Sequence, residues 1–221
     1  MLLHSNIIGE GKPFVILHGF LGMSDNWKTL GSQFSEQGFQ VHLVDQRNHG
    51  RSFHDDAFNY EMLAEDLKHY CDENKLSEIV LLGHSMGGKT AMLFASLYPE
   101  IVSKLLIADI SPRFYPVHHD AILEGLSALD FEVIKSRAEA DKILKNKVGE
   151  IGESLPSYTR FEKDTLFLRG DRSEYIGVDD EAIIKNHFSK SKIVTISNAG
   201  HWLHAENPKD FFEAVINFVN S

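Results

Sequence analysis

One pentapeptide, Gly83-His84-Ser85-Met86-Gly87, constrains this chain more than any other feature. An apolar run at 79–82 precedes it, which is typical of a buried strand, and an apolar run at 91–95 follows it, which is typical of a buried helix. A Gly-x-Ser-x-Gly motif at a direct strand-to-helix turn is the signature of a nucleophile elbow, a turn so tight that its flanking residues must be small. The motif therefore predicts that Ser85 is a nucleophile. The alternative is a glycine-rich turn whose serine only caps the helix.

The rest of the chain alternates between strand patterns and helix patterns. Short apolar runs predict buried strands at 14–17, 41–44, 79–82, 102–108, 165–168 and 192–196, and residues 2–8 are predicted as an edge strand. Apolar residues at helical spacing predict helices that begin near Trp27 and Tyr60, a helix over 179–188 and a last helix from Pro208 to about residue 219. This alternation indicates the α/β class, with a mostly parallel sheet flanked by helices.

The alternation stops between residues 113 and 163. No strand pattern occurs there, and helical spacing instead predicts two helices at 118–129 and 132–147. We interpret 113–163 as a short helical cap inserted over the sheet, within a single domain that comprises residues 1–221.

Composition excludes several classes of function. The formal net charge of −10 argues against nucleic acid or an anionic membrane as a partner. The N-terminus lacks the basic start and apolar stretch of a signal peptide, and no apolar window is long enough to span a bilayer, so a cytoplasmic location is expected. Cys71 is the single cysteine, which excludes an intrachain disulfide. No ligand cluster has metal-binding spacing, so we expect neither a metal nor a cofactor; the oligomeric state is left open.

A serine nucleophile needs a base and a third group that orients the base. The candidate base is His201, which follows the last predicted strand and so lies at the sheet edge where Ser85 is expected; His204 is its competitor. Asp109 and Asp171 are the candidate acids, because each ends a strand at that edge and each precedes His201 in the order serine, acid, histidine. The residues themselves leave this choice open.

Acyl transfer also needs two N–H donors at the point where an oxyanion forms. We assign them to Met86, at the start of the elbow helix, and to Phe20, in the loop after the first buried strand. Apolar residues are candidates for an acyl pocket, although core packing is the stronger interpretation for those in the cap: Phe20, Leu21, Met86, Phe114, Tyr115, Ile122 and Trp202.

Several motifs together resemble the α/β-hydrolase family from the first buried strand to the last helix. They are His18-Gly19-Phe20, the Asp45-x-Arg47-x-His49-Gly50-x-Ser52 loop, the elbow and Gly200-His201, in the family's order. Within the family, the chain is similar to YbfF-type serine esterases. That similarity rests on Asp45-Gln46-Arg47-Asn48-His49-Gly50, His84-Ser85-Met86-Gly87-Gly88-Lys89, Ala108-Asp109-Ile110-Ser111-Pro112 and Ala199-Gly200-His201-Trp202-Leu203-His204-Ala205-Glu206.

The resemblance implies a carboxylic ester hydrolase with a Ser-His-Asp triad, acting on small-molecule esters of short to medium acyl chains and on thioesters. It also implies that Asp109 is the acid. Some members of the wider family carry the acid after the later strand, three residues beyond a glycine. In this chain the residue three beyond Gly170 is Ser173. Asp171 therefore does not occupy that position and remains the alternative. The chain departs from the family in one respect, because the stretch between Asp109 and residue 165 is shorter than the family's cap.

Other functions of the same fold remain as alternatives. An acyltransferase or a carbon–carbon bond hydrolase would keep the serine, whereas haloalkane and epoxide hydrolases use an aspartate at the elbow, which Ser85 argues against. A non-catalytic binding protein of this fold is the alternative from a different class. It predicts that a triad member is missing, and each of the three types is present.

Overall fold

The computed structural model describes residues 1–116 and 152–221, which form a seven-stranded sheet flanked by helices. The strands are β1 (Ser5–Ile8), β2 (Lys12–Leu17), β3 (Phe39–Val44), β4 (Ile79–His84), β5 (Val102–Ala108), β6 (Thr165–Gly170) and β7 (Ser191–Ile196). Their spatial order is β1-β3-β2-β4-β5-β6-β7, with β1 antiparallel to β3 and the other pairs parallel. The predicted α/β class with a mostly parallel sheet is confirmed.

Helices cover both faces of the sheet. A 3-10 helix, Ser24–Trp27, leads into α1 (Lys28–Ser35), and the others are α2 (Tyr60–Glu73), α3 (Met86–Leu97), α4 (Asp180–His187), α5 (Leu203–Glu206) and α6 (Pro208–Val219). One apolar cluster joins α2, α3 and α4 to one face, and a second joins α1 and α6 to the other. Because β4 packs against both layers, all six of its residues are buried, which accounts for its continuous apolar pattern.

The edge strand and the last helix show how local sequence sets the ends of elements. β1 begins at Ser5 rather than at residue 2, because its ladder with β3 pairs only Ser5 to Ile8. At the start of α6, the side chain of Asn207 accepts a hydrogen bond from the N–H of Asp210, and Pro208 occupies the first helical position. Both features match the predicted helix start.

The segment between β5 and β6 is described at its two ends only. The N–H of Tyr115 donates to the carbonyl of Gly152 at 2.8 Å, and the N–H of Leu155 donates to the carbonyl of Pro112 at 2.8 Å. These two bonds bring the ends of the insertion together beside the sheet. The predicted helices at 118–129 and 132–147, and Ile122, lie outside the described residues, so the cap stays a prediction.

Candidate active site

The elbow connects β4 to α3 through Ser85 alone. Ser85 has φ 52° and ψ −117°, a positive φ that non-glycine residues rarely adopt and that is characteristic of strained functional turns. The turn is tight enough that a Cβ added at Gly83 would lie 2.2 Å from the carbonyl oxygen of Gly87. Only glycine fits there, so the pentapeptide folds into the turn that its sequence predicted.

Three side chains from distant parts of the chain form one hydrogen-bonded series at the carboxyl edge of the sheet. The Nε2 of His201 lies 3.0 Å from the Oγ of Ser85, and its Nδ1 lies 2.8 Å from Oδ2 of Asp109. Because a carboxylate only accepts, Nδ1 carries the proton, which leaves Nε2 free to accept from the serine hydroxyl. The arrangement can deprotonate Ser85 and hold the resulting imidazolium beside a carboxylate.

Asp109 is buried and lies directly after β5, with φ 52°. Its Oδ1 accepts a hydrogen bond from the N–H of Gly170 at 3.2 Å, and its Oδ2 accepts a second bond from the hydroxyl of Ser173. Sequence reasoning noted Ser173 only as a position without an aspartate. Its place three residues after Gly170 was the signal that could have identified it as a contact of the acid.

Asp171, the alternative acid, braces the loop that leads to His201. Its carboxylate accepts hydrogen bonds from the N–H groups of Asn198 at 2.9 Å and Ala199 at 3.0 Å. These two backbone donors lower the pKa of the Asp171 carboxyl. Of the two candidate acids, the structure thus brings Asp109 to the imidazole and directs Asp171 to the backbone before it.

His204, the competing base, is buried in α5 and stacks on Trp27, with ring centroids 4.1 Å apart and planes 10° apart. Burial, with a smaller contribution from the neighbouring His201, lowers the pKa of His204 to about 3. A histidine held neutral inside the core is a packing residue, whereas His201 reaches the serine.

Of the two predicted oxyanion donors, Met86 directly follows Ser85, and Phe20 follows Gly19, which packs against Ser85. Met86 is the first residue of α3, so its N–H has no partner within the helix and points from the positive end of the helix dipole. A Cβ added at Gly19 would lie 3.3 Å from the Cβ of Ser85, so the loop that carries Phe20 passes close to Ser85. The N–H of Gly22 donates to the carbonyl of Gly19 at 3.0 Å and closes that loop.

The predicted pocket residues differ in their surroundings. Phe114 and Trp202 are 57% and 40% exposed, and Leu21 is half-buried with φ 58°. The hydroxyl of Tyr115 accepts a bond from the N–H of Ser111 and donates one to the carbonyl of Tyr175. Tyr115 therefore packs the base of the insertion, which agrees with the core-packing interpretation.

Tyr175 stacks directly on the candidate base. Its ring centroid lies 3.8 Å from that of His201, with the planes 19° apart. Tyr115 in turn stacks on Tyr175 at 5.3 Å. Sequence reasoning did not identify Tyr175. Its ring lies after β6 and contacts His201 in the loop after β7, and no local sequence pattern predicts a contact between two such loops.

Lys89 is a buried lysine one turn along α3 from Ser85. Its ammonium donates to the carbonyls of Gly152 and Glu153 and lies 4.9 Å from the Tyr115 ring. Burial lowers the pKa of Lys89 to about 7. Lys89 thus joins the backbone at residues 152 and 153 to α3, the helix that follows Ser85.

The polar loop after β3 braces the neighbouring loops and α2. The carboxylate of Asp45 accepts bonds from the N–H groups of Ser24 at 2.6 Å and Arg51 at 3.0 Å. Arg47 forms a two-point ion pair with Asp66. Within 1–116 and 152–221, no group of three His, Cys, Asp or Glu side chains is placed to hold a metal ion, and no helix is both long and apolar enough to cross a bilayer.

Comparison with known proteins extends these observations. Residues 12–133 match the family model described as the alpha/beta hydrolase fold. The chain is 33% identical over 245 residues to the sn-1-specific diacylglycerol lipase ABHD11 of Mus musculus, covering 93% of this chain and 80% of the relative. It is 28% identical over 240 residues to esterase YbfF of Escherichia coli, covering 96% and 94%. Among solved structures, a marine microorganism esterase superposes with a TM-score of 0.88 at 34% identity and covers 99% of both chains.

Proposed function

The chain belongs to the alpha/beta hydrolase fold family, as its motifs predicted, and we propose that it is a serine-dependent carboxylic ester hydrolase with a Ser85-His201-Asp109 triad. The observation that carries this proposal is the hydrogen-bonded series from the Ser85 hydroxyl through the imidazole to the Asp109 carboxylate. A strained serine, a histidine and a buried carboxylate in that series support acyl transfer through a covalent intermediate.

In the acylation step, the Oγ of Ser85 attacks the ester carbonyl carbon while Nε2 of His201 takes the hydroxyl proton. Asp109 accepts a hydrogen bond from Nδ1–H without taking the proton. This bond keeps the imidazole in the productive tautomer, and the carboxylate stabilises the positive charge of the imidazolium. The N–H groups of Phe20 and Met86 bind the oxyanion. The imidazolium then gives its proton to the leaving alcohol oxygen, and the acyl group stays on Ser85.

In the second step, a water molecule replaces the alcohol. Nε2 of His201 takes a proton from the water as its oxygen attacks the acyl carbonyl, and returns that proton to Ser85 as the carboxylic acid leaves. The same cycle hydrolyses thioesters, with a thiol as the leaving group. No metal or cofactor takes part in this scheme.

The proposed substrates are small-molecule esters with short to medium acyl chains. Two observations support this class. The relatives are named as an esterase and a lipase, and the partly exposed aromatic residues Phe114 and Trp202 provide apolar surface in the segments that follow Asp109 and His201. We also propose that Leu21 contributes to the acyl-binding side, and that the protein acts in the cytoplasm.

A panel of p-nitrophenyl esters and CoA thioesters of increasing acyl length tests the proposal, together with labelling by a fluorophosphonate. We expect hydrolysis that declines for long chains, and labelling of one serine that is abolished in Ser85→Ala. Absence of both hydrolysis and labelling in the folded wild-type protein would reject the enzyme and favour a binding protein of the same fold. Transfer of the acyl group to an added alcohol in place of water would favour an acyltransferase.

A further inference from the structure

His84 is a buried histidine within the elbow motif whose contacts the proposed chemistry leaves unused. It ends β4, is fully buried and precedes Ser85. Its Nε2 lies 2.9 Å from the backbone carbonyl oxygen of His201, a contact between residues 117 positions apart. Because a carbonyl oxygen only accepts, Nε2 of His84 must carry the proton and donate it.

The surroundings of His84 keep it neutral. Burial lowers its pKa well below the ordinary value, and the neighbouring histidines 204, 201 and 18 lower it further. With the proton on Nε2, Nδ1 is a bare acceptor, and within the described residues this buried atom has no hydrogen-bond partner. A buried acceptor without a partner costs free energy, so nothing at Nδ1 favours this tautomer. The hydrogen bond from Nε2–H to the carbonyl of His201 is what selects it.

The imidazole of His84 also fills the space between two loops. A Cβ added at Gly19 would lie 2.7 Å from Nδ1 of His84, so the loop that carries Phe20 rests directly on this ring. On the other side, the His84 ring centroid lies 4.8 Å from that of His201 and 5.1 Å from that of Trp202. The His84 ring therefore lies between the loop that carries Phe20, a proposed oxyanion donor, and the loop that carries His201, the proposed base.

We propose that His84 is a positioning residue for the reaction, because its Nε2–H holds the backbone of His201 and its ring sets the distance between the His201 loop and the Gly19 loop. This inference rests on the proposed function, since it assigns His84 a role in the same site. His84 does not exchange protons with the substrate. It acts through the geometry of the Ser85–His201 contact, in which a misplacement of about 1 Å can cost about 100-fold in rate.

Two substitutions with side chains of similar length distinguish the effect of the hydrogen-bond donor from the effect of side-chain volume. His84→Gln retains an amide N–H at the position of Nε2, whereas His84→Met has no donor. His42→Met is the matched control, because His42 is another buried histidine in a strand and bonds to Tyr70 and Gln40, away from the site. The assay is steady-state hydrolysis of a p-nitrophenyl ester. The value of kcat is expressed per active site, and the active sites are counted by titration with a fluorophosphonate.

We expect His84→Met to lower kcat by about 10- to 100-fold with KM changed by less than about threefold, and His84→Gln to stay within about fivefold of the wild-type kcat. His42→Met should keep the wild-type kcat even where it lowers the thermal midpoint. A His84→Met protein with wild-type kcat, or a His84→Gln protein as slow as His84→Met, would overturn the proposal.

A second measurement needs no variant. Nitrogen-15 NMR of the wild-type imidazoles at pH 7 should show His84 as the neutral tautomer protonated at Nε2, and protonation at Nδ1 would overturn the proposal. If His84→Met fails to fold, His84→Phe replaces it, because phenylalanine keeps the ring and lacks the N–H. A wild-type protein that reacts with neither ester nor fluorophosphonate would instead reject the proposed function, which is a distinguishable result.

Discussion

The hydroxyl of Ser173 donates a hydrogen bond to Oδ2 of Asp109, the same oxygen that lies 2.8 Å from Nδ1 of His201. Asp109 follows β5 and Ser173 follows the neighbouring strand β6. Side chains that follow two adjacent strands thus meet at the Nδ1 side of the His201 imidazole. The loop after β6 is therefore placed to supply an acid, although in the proposed triad it supports Asp109 instead.

We expect that the acid can be moved from β5 to β6. Asp109→Ser should lower kcat by about 10³- to 10⁴-fold, since the imidazole loses its orienting carboxylate. Adding Ser173→Asp to that variant should recover at least about tenfold, because a carboxylate at 173 reaches toward the place that Oδ2 of Asp109 occupied. Ester hydrolysis by the single and double variants measures this.

The control for the relocation is Ser173→Ala in the wild-type background. It removes one charge-assisted bond to Asp109 and should lower kcat by about three- to tenfold. If the double variant is no faster than Asp109→Ser alone, the loop after β6 cannot supply the acid.

Ser85→Ala should lower kcat on an ester by about 10⁴-fold or more while the fold stays intact. The hydroxyl is the atom that the proposed mechanism makes covalent, and its removal leaves the oxyanion donors in place. Circular dichroism and the thermal midpoint serve as the folding control. An alanine variant with near wild-type turnover would end the serine-hydrolase proposal.

The two aspartates should respond differently to amidation. Asp109→Asn should lower kcat by about 10⁴-fold, since the amide stabilises neither the productive tautomer nor the imidazolium. Asp171→Asn keeps one of the two oxygens that accept from the N–H groups of Asn198 and Ala199, and the imidazole of His201 keeps its bond to Asp109, so kcat should stay within about tenfold of wild type. A larger loss of kcat at Asp171 than at Asp109 would reverse the assignment of the acid.

Gly87→Ala should destabilise the elbow. The added Cβ would lie 2.5 Å from the carbonyl oxygen of His18 and 2.6 Å from that of Leu17, and these backbone atoms cannot move independently of β2. We expect a lower thermal midpoint and a lower kcat. Gly177→Ala is the matched control, because within the described part of the chain its Cβ would meet only Asp180 Oδ2, at 3.7 Å, and the substitution should leave both unchanged. Equal midpoints for the two variants would contradict this account.

Stability should fall as the solution is acidified below about pH 6.5. Burial lowers the pKa values of four histidines, 18, 42, 84 and 204, below their ordinary value of 6.5. The unfolded chain then binds more protons than the folded chain below pH 6.5, so the stabilisation is complete above that pH and is lost as pH falls. Each histidine contributes a slope of up to about 1.4 kcal/mol per pH unit.

Urea unfolding between pH 8 and pH 5 measures this slope, and His204→Phe tests its origin. Phenylalanine keeps a ring against Trp27 and removes a group whose folded pKa is about 3, so the slope should decrease by about one proton. An unchanged slope in the variant would show that His204 does not titrate differently on folding.

Much of the fold followed from short-range pattern. Apolar runs identified the parallel strands, and the strand-to-helix turn with small neighbours singled out Ser85 as the candidate nucleophile, because both depend on a few consecutive residues. His201 also followed from pattern, since a loop after a parallel strand must emerge at the carboxyl edge of the sheet. The bounds of elements did not all follow from pattern, since β1 begins at Ser5, where its ladder to β3 starts, rather than at residue 2.

The sequence by itself determined the alternation of strands and helices, the elbow and the sheet edge at which candidate residues gather. Only the tertiary structure showed that Asp109 rather than Asp171 contacts the imidazole of His201, and revealed the contacts of Ser173, Tyr175 and His84. The physical reason is the range of the interactions. Periodicity and turn chemistry act over a few residues, whereas the imidazole of His201 meets Ser85 across 116 positions, and the order of the strands and the path of each loop decide which side chain arrives there.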